Sequence, residues 1–283
     1  MTTYLWCTSV YMQMAHPVFP PEIECLIFTA ALEMKLEDKE RVDLLLVAKR
    51  VYKWLLPRIF RTVAIRAMPP SRRYPRLLSV NALEKNGHHT RNLLLSISYD
   101  FTEWIPQDRL LSFCPNVTNL VLHSRNHPER IHLEHMACLP LTHLSTDMEG
   151  LPNSAPELLP LFSRITHLST IHLLSNDNPT RFSSLTHLAI VKADNEMDYT
   201  LILKDYPELE VLVLLESGLA VEVVGVFDAK VDEPRMVRIT FRDDDLMEDW
   251  FLDVKEGRGM WWLAHDEVRR RRKLIEGLRE VPK

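Results

Sequence analysis

The chain has 283 residues, of which 46% are hydrophobic and 26% charged, which is the composition of an ordinary globular protein of one or two domains. A formal net charge of −5 argues against nucleic-acid binding by the whole molecule, and no apolar run approaches the roughly 18 residues of a membrane helix. Only 7 glycines are present, and both common glycine-rich phosphate-binding motifs are missing. We therefore expect no cofactor, no nucleic-acid partner and no membrane contact.

The cysteines and the first residues indicate the compartment. Cys7, Cys25, Cys114 and Cys138 form no closely spaced pair, which favours free, mostly buried thiols in a reducing environment. Residues 1–18 lack the basic start and the unbroken apolar core of a secretory signal. The expected location is the cytoplasm, the nucleus or both.

The segment from Phe19 to Phe60 is predicted to form three short helices. Pro20 and Pro21 favour a helix start, since proline fits the first turn and has no amide proton to leave unpaired. The first helix carries its apolar residues on one face, namely Ile23, Leu26, Ile27, Ala30 and Met34. Because each helix is too short to be stable alone, the three need a common core, and a surplus apolar face would call for a partner.

The second and third helices follow a charged break at residues 35–41. Val42, Leu45, Leu46 and Lys49 are predicted to share one face of the second helix, with Lys49 at its edge. The third helix is predicted over residues 51–56 and should end at Pro57, because proline breaks the helical hydrogen-bond ladder.

Four runs in this segment resemble the F-box family: Phe19–Ile23, Leu26–Phe28, Leu44–Leu55, and Ile59–Phe60 after Pro57. The resemblance implies that the proline segment and the first two helices bind the Skp-type adaptor of cullin–RING ubiquitin ligases. The residues implied in that contact are Phe19, Pro20, Pro21, Glu22, Ile23, Leu26, Ile27, Leu45 and Leu46.

A repeated pattern follows in the rest of the chain. Five aligned segments, 117–122, 141–146, 165–170, 185–190 and 209–214, have anchor leucines at Leu120, Leu144, Leu168, Leu188 and Leu212. Their spacings of 24, 24, 20 and 24 residues fit the period of leucine-rich repeats. Each unit predicts one short strand with inward leucines, and weaker members lie at 61–65, 92–97 and 237–241. Stacked strands would form a parallel sheet, because no single unit can bury its apolar face.

The resemblance to leucine-rich repeats is limited to the strands. The asparagine that usually follows each strand is missing, so we expect an irregular solenoid without an asparagine ladder. The run from Ala155 to Phe162 is predicted to form a short helix on the convex side. Asp249-Trp250, residues 256–264 and the basic helix after them resemble the C-terminal ending of many fungal F-box and repeat proteins. The tryptophans of this ending are predicted to cover the last repeat.

Strand alternation predicts a concave surface on which three histidines form one column. The residues expected there, as the partner-binding face, are Asn119, Val121, His123, His143, Ser145, Asp147, His167, Ser169 and His187. Adjacent rungs lie about 4.8 Å apart, so like charges would lower the histidine pKa values. The column can be a recognition or pH-sensitive surface, or a solvated ladder that arose by duplication. A metal site is not expected, since no carboxylate or thiolate recurs beside it.

Three other clusters have plain interpretations. His132 and His135, with His127 and Cys138, could bind zinc if they lay on a helix, but Pro128 favours a polar loop. The acidic run at 243–245, with Glu248 and Asp249, is predicted to be a solvated turn rather than a magnesium site. The basic run at 269–273 is predicted to be an exposed helix face rather than a nuclear signal.

The sequence therefore predicts an α/β protein with an N-terminal F-box-like module and a leucine-rich repeat solenoid. The predicted parts are an extension at 1–17, a helical module at 18–60, a solenoid at 61–248, and a Trp-rich cap with a basic helix at 249–283. No catalytic spacing is present, so a non-enzymatic adaptor is expected, one that joins a ligase adaptor to an unknown protein substrate. The alternative is a scaffold that binds a partner protein independently of any ligase.

Overall fold

The computed structural model describes residues 19–34, 38–66, 80–97, 107–124, 130–146, 158–171, 179–191, 199–217, 233–241, 250, 253–254 and 256–279. The chain divides into two compact units, Met1–Ile59 and Phe60–Lys283. Within the described residues, no helix combines the length and apolar character that crossing a membrane requires.

The first unit contains the three predicted helices. They are α1 (Pro21–Glu33), α2 (Asp38–Leu46) and α3 (Lys49–Ile59). The carbonyl of Pro20 accepts hydrogen bonds from the amides of Ile23 and Glu24 at 3.0 and 3.1 Å, so α1 begins at the proline pair as expected.

Two predicted details of this unit are wrong. Lys49 does not lie at the edge of α2, because α2 ends at Leu46 and Lys49 begins α3. Pro57 does not end the third helix but lies inside it, and α3 continues to Ile59. A proline this close to a C-terminal end removes one hydrogen bond of the last turns, so the helix can continue for two residues beyond it.

An ion pair joins α1 to α3. Arg50 Nε and Nη2 donate to the two carboxylate oxygens of Glu24 at 2.7 and 3.0 Å, and Glu24 is only 9% exposed. This bidentate geometry is the favourable one for an arginine–carboxylate pair. The hydrogen bond to Glu24 raises the pKa of Arg50. The face of α1 that turns towards α3 therefore carries a charged residue rather than the apolar stripe.

The described residues of the second unit form one open sheet of eight parallel strands, whose spatial order is their order in the chain. The strands are β1 (Thr62–Arg66), β2 (Asn92–Ile97), β3 (Asn119–Ser124), β4 (His143–Ser145), β5 (His167–Thr170), β6 (His187–Val191), β7 (Val211–Ser217) and β8 (Met236–Phe241). All eight segments that the sequence predicts to be strands contain one. The α/β class and the parallel sheet are thereby confirmed.

Short helices lie in the connections between these strands. They are α4 (Val80–Asn86), α5 (Gln107–Phe113), α6 (Arg130–Ala137), α7 (Leu159–Phe162), α8 (Tyr199–Asp205) and the 3-10 turns Gly87–His89 and Pro179–Phe182. A longer helix, α9 (Met260–Arg279), follows the sheet. The short helix expected between residues 155 and 162 is found as α7, within the described part of that segment.

The anchor leucines lie in register across the middle of the sheet. Each anchor leucine pairs with the anchor leucine of the next strand, in the order Leu120, Leu144, Leu168, Leu188 and Leu212. Each of these side chains is no more than 3% exposed. Because side chains alternate along a strand, these leucines occupy one face, and the residues beside them occupy the other. We call the second face the histidine face, since it carries His143, His167 and His187.

Threonines just before the strands satisfy backbone carbonyls of the preceding rungs. The hydroxyls of Thr142, Thr166 and Thr186 donate to the carbonyls of Thr118, Thr142 and Thr166 at 3.3, 3.1 and 3.2 Å. Each of these carbonyls also accepts two backbone amides of the next rung. In this threonine ladder, the hydroxyls therefore add a side-chain contact to carbonyls that the backbone already pairs.

The described cysteines are free, as expected, but they do not share one environment. Cys114 is buried, Cys25 is partly buried and Cys138 is exposed. Burial raises the pKa of the Cys114 thiol to about 11, which makes it an inert core group. The expectation of mostly buried thiols is therefore wrong for Cys138, which lies in the turn after α6. Cys7 lies outside the described residues.

Candidate functional site

The three histidines of the repeated Leu-Thr-His-Leu motif form one stacked column. The ring centroids of His143 and His167 are 4.0 Å apart at an interplanar angle of 15°, and those of His167 and His187 are 3.9 Å apart at 9°. Their register on β4, β5 and β6 is continuous, since His143 pairs with His167 and His167 with His187. The predicted column is thereby confirmed.

The threonine ladder sets the tautomer of each histidine. His143, His167 and His187 place Nδ1 at 2.9, 2.9 and 2.7 Å from the hydroxyl of the preceding threonine. Each hydroxyl has one proton, and each carbonyl can only accept. With that proton on the carbonyl, the hydroxyl accepts from the imidazole, and we infer the Nδ1–H tautomer for the three rings. In this tautomer, Nε2 of each ring has a lone pair.

Burial keeps the column neutral. It lowers the pKa of His143, lowers that of His187 to about 4 and lowers that of His167 to about 2. For His167 and His187, repulsion from neighbouring histidines is the second cause. The predicted fall in pKa is thus in the right direction, but the larger cause is loss of solvent rather than like charge.

The C-terminal helix α9 covers one half of the histidine face. Met260, Ala264 and Val268 lie four residues apart on one side of α9, as residues on one helix face do. They pack against the apolar end of the face, which consists of Ala189, Val211, Val213, Leu215, Val237 and Ile239. All of these residues are buried. The open concave surface expected from the strand pattern is therefore closed over β6 to β8 by the chain itself.

Two further side chains of α9 reach the histidine column. The Trp261 ring meets the edges of His167 and His187 at 5.3 and 5.5 Å between centroids, nearly perpendicular to both. His265 Nε2 lies 2.5 Å from His187 Nε2. Because Trp261 and His265 are four residues apart, they share the side of the helix that faces the column. His187 is consequently only 5% exposed.

The basic run of α9 also contributes to this packing. Arg271 Nη1 donates to the carbonyl of Met236 at 2.6 Å, and Arg271 Nε donates to Glu267 at 2.7 Å. Arg270 makes a bidentate pair with the same carboxylate. These bonds lower the pKa of Glu267, the bond from Arg270 being the largest cause. Arg269, Arg270, Arg272 and Lys273 are exposed, as predicted, whereas Arg271 is not.

The sequence predicts that the tryptophans cover the last repeat, and Trp261 does pack on the apolar cluster that includes Val237 and Ile239 of β8. The cover also extends further along the sheet. Trp250 Nε1 donates to Asn119 Oδ1 on β3 at 3.2 Å, and Trp261 lies over β5 and β6. Trp262 is 49% exposed. The C-terminal segment thus lies along the histidine face rather than across the end of the sheet.

The residues predicted to bind a partner on this face have different surroundings. Val121, Ser145 and Ser169 are partly exposed, and so are His143 and His167. Asn119 is paired with Trp250, and His187 is covered by α9. His123 belongs to β3, and Asp147 lies outside the described residues. The part of the face on β3 to β5 is therefore the more open part.

The helical unit presents a second candidate surface. We call it the N-terminal apolar face and define it by Phe19, Ile23, Leu26, Ile27, Met34, Leu46 and Val47, which are all exposed. Leu26 is 64% and Leu46 is 75% exposed. The same stretch includes exposed Pro20, Pro21 and Glu22 and partly buried Leu45. All nine residues implied by the F-box resemblance thus lie in the described part of this unit.

The histidines after Pro128 lie on a helix rather than in a loop. The loop expected around His132 and His135 is wrong, because both residues belong to α6, which begins at Arg130, two residues after Pro128. Proline therefore precedes this helix rather than preventing it. Cys138 is exposed in the turn that follows. His127 and the acidic run at 243–245 with Glu248 and Asp249 lie outside the described residues.

Two residues beside the column carry ligand atoms that the sequence analysis did not single out. Glu210 precedes β7 as Thr186 precedes β6, so it occupies the ladder position of the next strand. His265 lies on α9. The four-residue spacing of Met260, Ala264 and Val268 was a signal for an amphipathic helix, but its contact with β6 is not encoded locally. A comparison with protein-family models and a comparison with curated proteins each find no match for this chain.

Proposed function

We propose that the chain is a non-enzymatic adaptor that holds a ligase adaptor with its helical unit and a second protein with its sheet unit. The N-terminal helices act as an F-box-like module, and the ligand is the Skp-type adaptor of a cullin–RING ubiquitin ligase. The eight-strand unit acts as an irregular leucine-rich repeat solenoid that carries the protein substrate.

The observation that carries the proposal is the outward orientation of the N-terminal apolar face. A surface helix normally buries its apolar stripe, but the buried residues of α1 are Glu24 and Thr29. Ile23, Leu26 and Ile27 are exposed instead. Exposed apolar side chains that share one face of a helix, at positions i, i+3 and i+4, favour a protein-binding surface. The F-box resemblance lies in the same residues and supplies the identity of the partner.

The second unit supports the other half of the proposal. Its strands follow one another in chain order, all are parallel, and their anchor leucines are in register, as expected for stacked repeats of 20 to 29 residues. The open part of the histidine face on β3 to β5 offers His143, Ser145 and Ser169 to a partner. A target that also contacts His187 has to displace α9.

Binding to a purified Skp-type adaptor tests the ligase role. Isothermal titration of the full chain should give a one-to-one complex, and Leu26→Asp or Ile23→Asp should weaken it by roughly 30-fold or more, as expected for central apolar contacts worth 2 kcal/mol or more. Leu26 is 64% exposed, so its replacement should leave the thermal unfolding of the chain unchanged.

Lys53→Glu is the matched control, because Lys53 is exposed on α3 outside the N-terminal apolar face. This variant should bind as the parent does. Failure of the correctly folded parent to bind any Skp-type adaptor would remove the ligase role and leave the ligase-independent scaffold. In that case a partner captured by residues 60–283 should be retained by the Leu26→Asp variant.

A further inference from the structure

Three ligand atoms from three elements meet at the edge of the histidine column. They belong to His187 at the start of β6, Glu210 in the turn before β7, and His265 on α9. Their ligand atoms lie within 4.8 Å of one another. In the part of the chain that the structure describes, this is the one group of three such residues close enough to share an ion.

The chemistry of His187 suits a metal ligand. Its Nδ1 lies 2.7 Å from the hydroxyl of Thr186, and in the tautomer inferred above the lone pair is on Nε2. A metal-binding histidine is typically oriented by a hydrogen bond of its other ring nitrogen.

The imidazoles of His187 and His265 meet through their Nε2 atoms. His187 Nε2 and His265 Nε2 are 2.5 Å apart. Without a metal, and with the inferred tautomer of His187, Nε2 of His187 accepts and His265 donates through Nε2–H. Two nitrogens on a tetrahedral zinc ion, each 2.0–2.1 Å from it, are about 3.3 Å apart. To accommodate zinc, the two nitrogens must therefore move apart by roughly 0.8 Å, and the ring proton of His265 must be on Nδ1.

The third ligand is the carboxylate of Glu210, a group that the repeated Leu-Thr-His-Leu motif does not contain. Glu210 is exposed and occupies the rung position next to Thr186, so its carboxylate can turn towards the two rings from the solvent side. Two imidazoles and one carboxylate are a donor set that zinc accepts, with water as the fourth ligand. Magnesium and calcium prefer sets made of oxygen alone.

We infer that His187, Glu210 and His265 bind one zinc ion, which fastens α9 to the histidine face. The ion joins His187 of β6 and Glu210, which precedes β7, to one residue of the C-terminal helix, so its binding energy opposes removal of the helix. The site is independent of the N-terminal apolar face and of any ligase adaptor. It makes access to the His187 end of the face depend on zinc.

The test uses the full chain stripped of metal with a chelator. Titration with zinc chloride should give one equivalent bound, and magnesium chloride should give none. Cobalt in place of zinc should give the visible absorption of a four-coordinate ion. Zinc should also slow hydrogen exchange of the amides in α9. These four readouts do not require a folded partner or an activity.

Variants assign the ligands. His265→Gln and Glu210→Gln should each weaken zinc binding by roughly 100-fold or more, since loss of an outer-sphere partner alone costs 10–100-fold. Both residues are partly or fully exposed, so these variants should remain folded. His135→Ala, on α6 with His132, is the matched control and should bind like the parent.

Either of two outcomes overturns the site. One is the absence of a stoichiometric zinc equivalent in the folded parent. The other is zinc binding that His135→Ala abolishes while His265→Gln preserves it, which would assign the ion to α6.

Discussion

Trp250 and Asn119 are 131 residues apart in the chain, yet the indole N–H of Trp250 donates to Asn119 Oδ1 at 3.2 Å. With the contacts of Trp261 on β5 and β6 and of Val268 on the apolar end, this bond shows that the C-terminal segment lies along the histidine face from β3 to β8. The C-terminal segment therefore covers part of the histidine face, the surface that the sequence predicts to bind a partner.

Replacing Trp261 should loosen this cover. Trp261 packs on the rings of His167 and His187 and on the apolar cluster under α9, so Trp261→Ala should lower the free energy of unfolding by about 2–4 kcal/mol. Urea denaturation measures the change. Trp262→Ala is the neighbouring control, since Trp262 is 49% exposed, and it should change the stability by less than about 1 kcal/mol. Equal losses for the two variants would contradict the orientation of α9.

The neutral histidine column should make the sheet unit sensitive to acid. An unfolded histidine has a pKa of about 6.5. The folded pKa values are about 4 for His187 and about 2 for His167. Below pH 6.5 the unfolded chain therefore binds protons that the folded chain resists, and stability falls with pH until the folded values are reached. We expect a loss of about 2 kcal/mol or more between pH 7 and pH 5.

Urea denaturation at the two pH values measures this loss. Carboxylates also titrate in this range, so the informative comparison is between variants. His167→Gln should reduce the difference in the free energy of unfolding between pH 7 and pH 5, because it removes a residue whose pKa is lowered to about 2. His88→Gln replaces an exposed histidine of the 3-10 turn and should retain the parental difference. An unchanged difference in His167→Gln would refute the link between the column and acid sensitivity.

A glycine fixes the approach of α4 and α5. A methyl group at Gly87 would collide with the carbonyl oxygen of Phe113, a backbone atom that cannot rotate away. Gly87→Ala should therefore lower the free energy of unfolding by about 1–3 kcal/mol, as overpacking does. Gly277 in α9 has no atom near the position of an added methyl group. Gly277→Ala should then raise stability by about 0.5–1 kcal/mol, and a destabilisation there would contradict its open surroundings.

The strands were predictable because their signal is local and repeated. A leucine at every 20 to 24 residues, flanked by alternating side chains, defines both the position of a strand and the face that each residue occupies. The histidine column followed from this register alone. The threonine bonds that set the histidine tautomers were also encoded in the motif, since Thr precedes His in each of three repeats.

The position of the C-terminal helix was not predictable in this way. His265 meets His187 across 78 residues, and neither the strand period nor the helix period specifies which surface an amphipathic helix will cover. The orientation of α1 had the same limit. Its apolar stripe was visible in the sequence, but the pairing of Glu24 with Arg50 decides which side turns inward.

The threonine ladder leads to a test of the histidine tautomers. The Thr166 hydroxyl accepts from His167 Nδ1–H and donates to the carbonyl of Thr142. Valine has nearly the same shape but no hydroxyl, so Thr166→Val leaves Nδ1 of His167 and the carbonyl of Thr142 without this partner. An unsatisfied buried donor costs about 1–3 kcal/mol, and we expect a loss of that size in the free energy of unfolding.

Thr118→Val is the matched control, because Thr118 occupies the same ladder position but precedes Asn119 instead of a histidine. Its hydroxyl donates to the carbonyl of Arg91 at 3.4 Å, a long bond, and its loss should cost less than about 0.5 kcal/mol. Nitrogen chemical shifts of the imidazoles provide a second readout, since they distinguish Nδ1–H from Nε2–H. The parent should have the Nδ1–H form at His167, and Thr166→Val should populate the other tautomer. If His167 of the parent carries its proton on Nε2, the tautomer inferred for the column is refuted. The same tautomer is the one that places the lone pair of His187 on Nε2, next to His265.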